Sequence, residues 1–244
     1  MNRQIQMASR PVGNPAPKDF CLVEGKIPDV AEDHLLVRNR FLSLDPYMRG
    51  RMSAAKSYAK PVEVGEVITG GTVGQVTKSR HPGFVEGDLV VANGGWQEYS
   101  VIKGAECKKV NPSWPSPSLA LGVLGMPGVT AFTGMKNIGK PEAGETVVVA
   151  AASGAVGSVV GQIAKIHGAR AVGIAGTMEK CRFVIDELGF DDCLMHKEPD
   201  FPEKLKKACP DKIDVYFENV GGKVFETVAP LLNNFARIPV CGLI

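Results

Sequence analysis

The chain has 244 residues, of which 44% are apolar and 22% charged, and its formal net charge is +2. This is the composition of an ordinary soluble globular protein with one large or two small domains. It gives no electrostatic footing for nucleic acid or an anionic membrane surface, and no apolar run approaches the roughly 18 residues of a spanning helix. The opening Met-Asn-Arg-Gln-Ile-Gln lacks a secretory apolar core. Six cysteines (Cys21, Cys107, Cys181, Cys193, Cys209, Cys241) are scattered and never form Cys-x-x-Cys. A chain of this size needs no covalent staples, so they read as free thiols of a reducing cytoplasm.

Residues 1–120 read as short strands broken by Gly and Pro: 20–24, 34–44, 64–78, 88–92 and 97–102. With turns at residues 15–17, 81–83 and 93–95, this pattern predicts a compact β-barrel-like domain. Gly65, Gly70, Gly71 and Gly74 inside one strand pattern predict bulges or sharp bends. Asp45 before Pro46 predicts an N-cap and the first residue of a short helix presenting Tyr47 and Arg49. Tyr47 is a candidate donor to a substrate oxygen, the alternative being a packed aromatic with a solvated Arg49 beside it. Trp96 and Tyr99, after the Asn-Gly-Gly turn, are candidates to line an apolar pocket or to fill the core. A structural zinc needs four clustered cysteines and a catalytic zinc needs Cys and His in register. Cys21, Cys107, His34 and His81 stand alone, so no metal is expected.

The proline-rich stretch 111–117 reads as a linker, and residues 119–124 and 128–138 as helical pieces leading into a second domain over 121–244. Met126 and Thr130 lie at this junction, where ligands often bind. From Thr146 the pattern alternates. Strands are predicted over 146–150, 170–175, 192–195, 213–218 and 236–241, and helices over 155–166, 178–188, 201–208 and 223–232. Gly168 and Gly189 close the first two helices as left-handed caps. The alternation implies a doubly wound parallel sheet of about five strands, with ligand at their carboxyl ends.

The chemistry gathers at the first crossover. Residues 145–157 run from β-branched apolar residues into a turn of small ones and then into a helix. Such a turn aims free backbone N–H groups and the positive end of a helix dipole at one point, where a pyrophosphate fits. In the fingerprint Gly-x-Gly-x-x-Gly, Ala152 replaces the first glycine while Gly154 and Gly157 hold the other two. Ser153, Gly154, Ala155, Val156 and Gly157 are the candidate contacts, and Gly161 is a further site of close packing. The end of the second strand decides which dinucleotide. An NAD site places an acid there. Here stand Ala175, Gly176, Thr177, Met178, Glu179 and Lys180, with no acid at the strand tip. Donors from Gly176 and Thr177 and the Lys180 cation suit a 2′-phosphate, hence NADPH. Asn219, closing the fourth strand, is a candidate for the cofactor ribose or diphosphate, or a turn residue. His196, after the third strand, is a candidate for the adenosine phosphate, or a loop residue. Cys241 and Gly242, ending the fifth, complete the set.

Four segments (44–52, 121–128, 175–181 and 216–222) together resemble the zinc-free medium-chain dehydrogenase/reductases, in the leukotriene B4 dehydrogenase/prostaglandin reductase branch. The resemblance implies a GroES-like catalytic domain followed by a Rossmann domain. It also implies NADPH-dependent reduction of the C=C bond of α,β-unsaturated ketones, with hydride passing to the β-carbon. By the same resemblance Lys180 meets the 2′-phosphate, the Ala155 and Val156 backbone the pyrophosphate, Asn219 the cofactor, and Tyr47 the neighbourhood of the substrate carbonyl. Relatives often carry Tyr where His196 stands, commonly form homodimers, and continue well past Cys241. The chain is therefore expected to be a fragment or truncated form. Two other functions stay open: a quinone reductase with Trp96 and Tyr99 stacking a flat ring, and a non-catalytic NADPH-binding protein.

Overall fold

The computed structural model describes residues 1–243. The chain divides into two compact units, Met1–Leu121 and Gly122–Ile244.

The first unit contains β1 (Asn2–Met7), β2 (Phe20–Gly25), β3 (His34–Leu42), α1 (Tyr47–Arg51), β4 (Thr72–Ser79), β5 (Leu89–Ala92), β6 (Tyr99–Lys103) and β7 (Lys108–Lys109). An antiparallel β1–β2 ribbon accompanies a five-stranded antiparallel sheet ordered β6-β3-β4-β5-β7. Leu35 and Val37 alternate inward from β3 and meet Val76, Val90 and Ile102. Burying each such side chain contributes about 1.5–3 kcal/mol, which fixes the register of the sheet.

Three expectations change here. The strand predicted over 64–78 begins only at Thr72. Gly65 has φ +89°, a turn conformation, and Gly70 lies against Leu42, Met48 and Trp96. Of the four glycines only Gly74 sits within a strand, and its lack of a side chain lets the Arg38 carbonyl approach beside a register shift at Asn39/Phe41. Asp45 is not a side-chain cap: α1 starts at Tyr47 after Pro46, and only the Asp45 carbonyl accepts, from Met48 N at 3.1 Å. The proline-rich stretch is no free linker, since Trp114 packs against the cluster of Val73, Val110 and Ala120.

The second unit contains α2 (Met126–Gly134), β8 (Thr146–Val149), α3 (Gly157–Ile166), β9 (Arg170–Ala175), α4 (Met178–Asp186), β10 (Asp192–Met195), α5 (Phe201–Ala208), β11 (Ile213–Phe217), α6 (Gly222–Val228) and β12 (Leu232–Arg237). Its sheet is parallel throughout, ordered β10-β9-β8-β11-β12. Val147 and Val149 face a core with Val160, Ala164, Val184 and Phe217. Val148 faces the opposite core, with Leu205, Ile213, Tyr216 and Val228. Both faces of β8 are thus covered, as βαβ crossovers require. Gly168 and Gly189 have φ +76° and +73°, the left-handed caps that let the chain leave each helix.

The last strand is displaced from its expected place at 236–241. The helix expected over 223–232 ends at Val228 and passes into a 3-10 turn, Ala229–Leu231, at Pro230. β12 follows at once. Asn233 fastens it to Asp214 Oδ1 at 2.7 Å, and the Arg237 guanidinium grips the Glu145 carboxylate at 2.6 and 2.8 Å.

Candidate cofactor-binding and active site

The turn after β8 is shaped by what it lacks. Ala152 is fully buried and donates its N–H to the Ile174 carbonyl at 3.0 Å, tying the turn to β9. Its methyl group fits where the fingerprint has glycine because its neighbour is Gly173. A Cβ on Gly173 would stand 2.9 Å from that of Ala152. Gly157 admits no side chain either, for its Cβ would strike the Ala151 carbonyl and stand 2.9 Å from Ala152 Cα. Gly161 carries the Phe190 ring directly on its backbone. Among the described residues, the N–H groups of Ser153, Ala155, Val156 and Gly157 donate to no protein acceptor. They stand at the N-terminus of the ten-residue α3. That leaves donors and a positive dipole end facing the same opening.

A cavity of about 350 Å³ lies over these strand ends. Ala151, Ser153 and Gly154 line it from the first turn, and Gly176 and Lys180 from the second. His196 and Lys197 line it beyond β10, and Val220 and Val224 beyond β11. No carboxylate is among the lining residues, and among the described residues neither Lys180 nor Lys197 forms an ion pair. Thr177 caps α4 by accepting from Lys180 N at 3.3 Å, which leaves its O–H to donate. Burial, and then the Lys197 cation, hold His196 below the ordinary imidazole range. The structure therefore brings Ser153, Gly154, Gly176, Lys180 and His196 to one cavity. Lys197 was missed by the sequence reading, although its place next to His196 at a strand end was the available signal.

Beyond β11 the arrangement differs. Asn219 donates from Nδ2 to the Ala150 carbonyl at 2.9 Å, so its amide nitrogen joins the ends of β8 and β11, while Oδ1 remains to accept. Glu218, only 2% exposed, accepts from Val220 N at 2.6 Å and Gly221 N at 2.8 Å through Oε1. Its carbonyl accepts from Cys241 N at 2.9 Å and Gly242 N at 3.2 Å. Gly242 needs to be glycine here, because a Cβ would stand 2.9 Å from the Asn219 carbonyl oxygen. Burial, then the Glu218 charge, push the Tyr216 phenol upward. Glu218 is the second residue the sequence reading passed over; a lone acid in an apolar strand end was its signal. On α2, Met126 is 52% exposed and Thr130 Oγ1 donates back to the Met126 carbonyl at 2.8 Å. Cys241 is exposed and approaches α2 at Gly134.

In the first unit Tyr47 and Trp96 meet in one cluster with Met7, Met48 and Ile68. Burial, and then Asp45, raise the Tyr47 phenol above its ordinary range. The Arg51 guanidinium lies 5.8 Å from the Tyr47 ring centroid and 4.3 Å from that of Tyr58. The Arg49 guanidinium donates to the Gly13 carbonyl at 2.9 Å and to the Pro11 carbonyl at 3.2 Å, fastening the loop after β1. Trp96 stacks on Phe20 at 5.9 Å with planes 7° apart, so one face of its ring is already covered.

Residues 3–110 match a family described as the N-terminal domain of oxidoreductase, and residues 155–244 one described as zinc-binding dehydrogenase. The chain is 54% identical over 243 residues to the NADPH-dependent curcumin reductase of Escherichia coli K12, covering all of this chain and 70% of that protein. The chain belongs to the medium-chain dehydrogenase/reductase family. Within that family, the NADP(+)-dependent 2-alkenal reductase of Nicotiana tabacum is 41% identical over 250 residues, matching all of this chain and 73% of its own. The crystal structure of CurA in complex with NADPH from Vibrio vulnificus has a TM-score of 0.95 and 57% identity, over 99% of this chain and 72% of that one. The dehydrogenase fold expected from the motifs, a parallel Rossmann-type sheet preceded by antiparallel sheets, is therefore present. Among the described residues no three His, Cys, Asp or Glu side chains converge, and no helix is long and apolar enough to cross a membrane.

Proposed function

We propose that the protein is an NADPH-dependent reductase of activated C=C bonds, with α,β-unsaturated ketones or aldehydes as its substrates. The observation that carries this is the acid-free cavity with Lys180 in the first turn of α4 and four unengaged N–H groups at the turn after β8. A dinucleotide with a phosphorylated adenosine ribose satisfies both halves of that set. When bound, NADPH supplies a hydride for the substrate β-carbon. The chain's own work is to hold and to stabilise. Ser153, Ala155, Val156 and Gly157 offer backbone donors to the pyrophosphate. Gly176, Thr177, Lys180 and His196 receive the 2′-phosphate. Asn219 keeps an acceptor near the ribose, and Met126, Thr130, Cys241 and Gly242 border the nicotinamide end. Negative charge develops on the substrate oxygen as the β-carbon is reduced, and a preplaced O–H donor there stabilises it. Tyr47 takes that role, its phenol kept protonated by burial, with Trp96 in the same cluster.

Purified protein should consume NADPH with an unsaturated ketone and produce the saturated one, while an equal concentration of a quinone supports slower turnover. Absence of both binding and turnover would sink this reading; binding without turnover would leave a nucleotide-binding protein. Tyr47→Phe should lower kcat by about a hundredfold while NADPH affinity holds, the loss of one transition-state donor being on the order of 3 kcal/mol. Lys180→Ala should weaken NADPH by about tenfold or more and NADH far less, as expected for losing a charge-assisted contact. Equal weakening of both nucleotides would remove Lys180 from the phosphate site. The homodimer rests on the resemblance alone and is settled by light scattering.

A further inference from the structure

The cavity over the strand ends holds one group whose charge can change near neutral pH. His196 lines both this cavity and an adjoining one of about 450 Å³. Its Nε2 would stand 3.6 Å from a Cβ on Gly176, so the imidazole faces the tip of β9, where the adenosine ribose is read. Lys180 comes from α4, Lys197 from its own turn, and Lys223 from α6. β9 contributes only the neutral Ala175 and Gly176. The one carboxylate lining either cavity among the described residues is Glu198, whose Oε2 is held by Lys204 Nζ at 2.7 Å.

We propose that His196 adds a pH-dependent part to the preference for a phosphorylated adenosine ribose that Lys180 begins, by taking up a proton as the phosphate docks. This deepens the cofactor reading above and rests on it. Without ligand, partial burial and then the Lys197 cation oppose a positive charge on the ring, which holds it below the ordinary imidazole range. A 2′-phosphate carries nearly two negative charges near neutrality and reverses the local field. The proton that follows makes the imidazole a third cation on the phosphate, alongside Lys180 and Lys197. The sign follows from linkage. The group's pKa is higher in the NADPH complex than in the free protein, so NADPH binding takes up a proton between those two values. NADPH affinity therefore falls by up to about tenfold per pH unit across that interval, while NADH, which has no such phosphate, does not follow it. A permanent cation at this position would forgo the switch, and a tyrosine would forgo the charge.

The test measures NADPH and NADH dissociation constants by calorimetry on the full chain from about pH 6 to about pH 9, the range in which a perturbed histidine titrates. The wild-type ratio of NADPH to NADH affinity should fall by about tenfold or more with rising pH, with proton uptake seen for NADPH only in buffers of differing ionisation enthalpy. His196→Gln should give a low ratio with that slope removed, and His196→Arg a high ratio without it. The phosphate's own protonation, with a pKa of about 6, is common to all three proteins and is subtracted through His196→Gln. A flat wild-type ratio, or the same slope in His196→Gln, overturns the proposal while leaving the cofactor reading intact. Failure of both nucleotides to bind overturns the two together.

Discussion

Two turns leave adjacent parallel strands in the second unit and are built on opposite principles. The turn after β8 leaves four N–H groups without an acceptor and carries no acid. The turn after β11 offers N–H groups as well, those of Val220 and Gly221, but Glu218 supplies a carboxylate to them from the preceding residue positions. Both run from strand through turn to helix, and both hold glycines. The first awaits an anion from outside; the second brings its own. A glycine-rich turn therefore says little until the fate of its N–H groups is known. Here that difference leaves one turn free to receive the pyrophosphate proposed above and gives the other a bracing role.

The largest effect should come from Gly157→Val. The new side chain would collide with the Ala151 carbonyl and press on Ala152 Cα, and backbone there cannot yield as a flexible side chain would. The open turn would distort, and NADPH affinity should fall by at least about a hundredfold, a loss of about 2.7 kcal/mol. Wild-type affinity in that variant would show that this turn is not the cradle. Glu218→Ala breaks the comparison from the other side. It leaves the Val220 and Gly221 N–H groups without their acceptor and should cost about 2 kcal/mol of stability or more in urea unfolding. Glu218→Gln keeps an oxygen acceptor in the same place and should recover most of that loss. Equal losses in the two variants would mean that the carboxylate's volume, rather than its bonds, braces the turn.

Much of the second unit was legible because its periodicity is strong. Val147, Val148 and Val149 alternate between two covered faces, and Gly168 and Gly189 mark helix ends where φ is positive. Two of the misplaced strands share a cause: bonds made by polar side chains, which leave no period. β1 was not foreseen because Asn2 is 1% exposed through bonds from its amide to the Tyr99 backbone, at 2.9 Å in each direction. β12 was expected over the apolar run 236–241 but lies in the polar Leu232–Arg237, fastened by Asn233 and Arg237. The same holds for the site. The open turn with Gly154 and Gly157 was readable from small residues at fixed spacing, and Lys180 only as a cation one turn into α4, where it lines the cavity. The bonds of Arg49 were not readable, because a guanidinium that holds the Pro11 and Gly13 carbonyls looks in sequence like any other arginine.

A third turn, the one after β9, adds a finer contrast at Thr177. Its Oγ1 accepts from Lys180 N, so the hydroxyl both starts α4 and sets the backbone from which the Lys180 side chain departs. Thr177→Val keeps the shape and removes the acceptor. Loss of an N-cap typically costs about 1 kcal/mol, and the melting temperature should fall by a few degrees accordingly. If the hydroxyl serves only as a cap, NADPH and NADH affinities should weaken together as the helix start frays. If its O–H also donates to the 2′-phosphate, NADPH should weaken by a further factor of about five, the worth of one ordinary hydrogen bond. Thr177→Ser, which retains both the acceptor and the donor, should restore the nucleotide ratio. A Ser variant that leaves the ratio as low as Val would mean that the threonine methyl, and not its oxygen, shapes this end of the cavity.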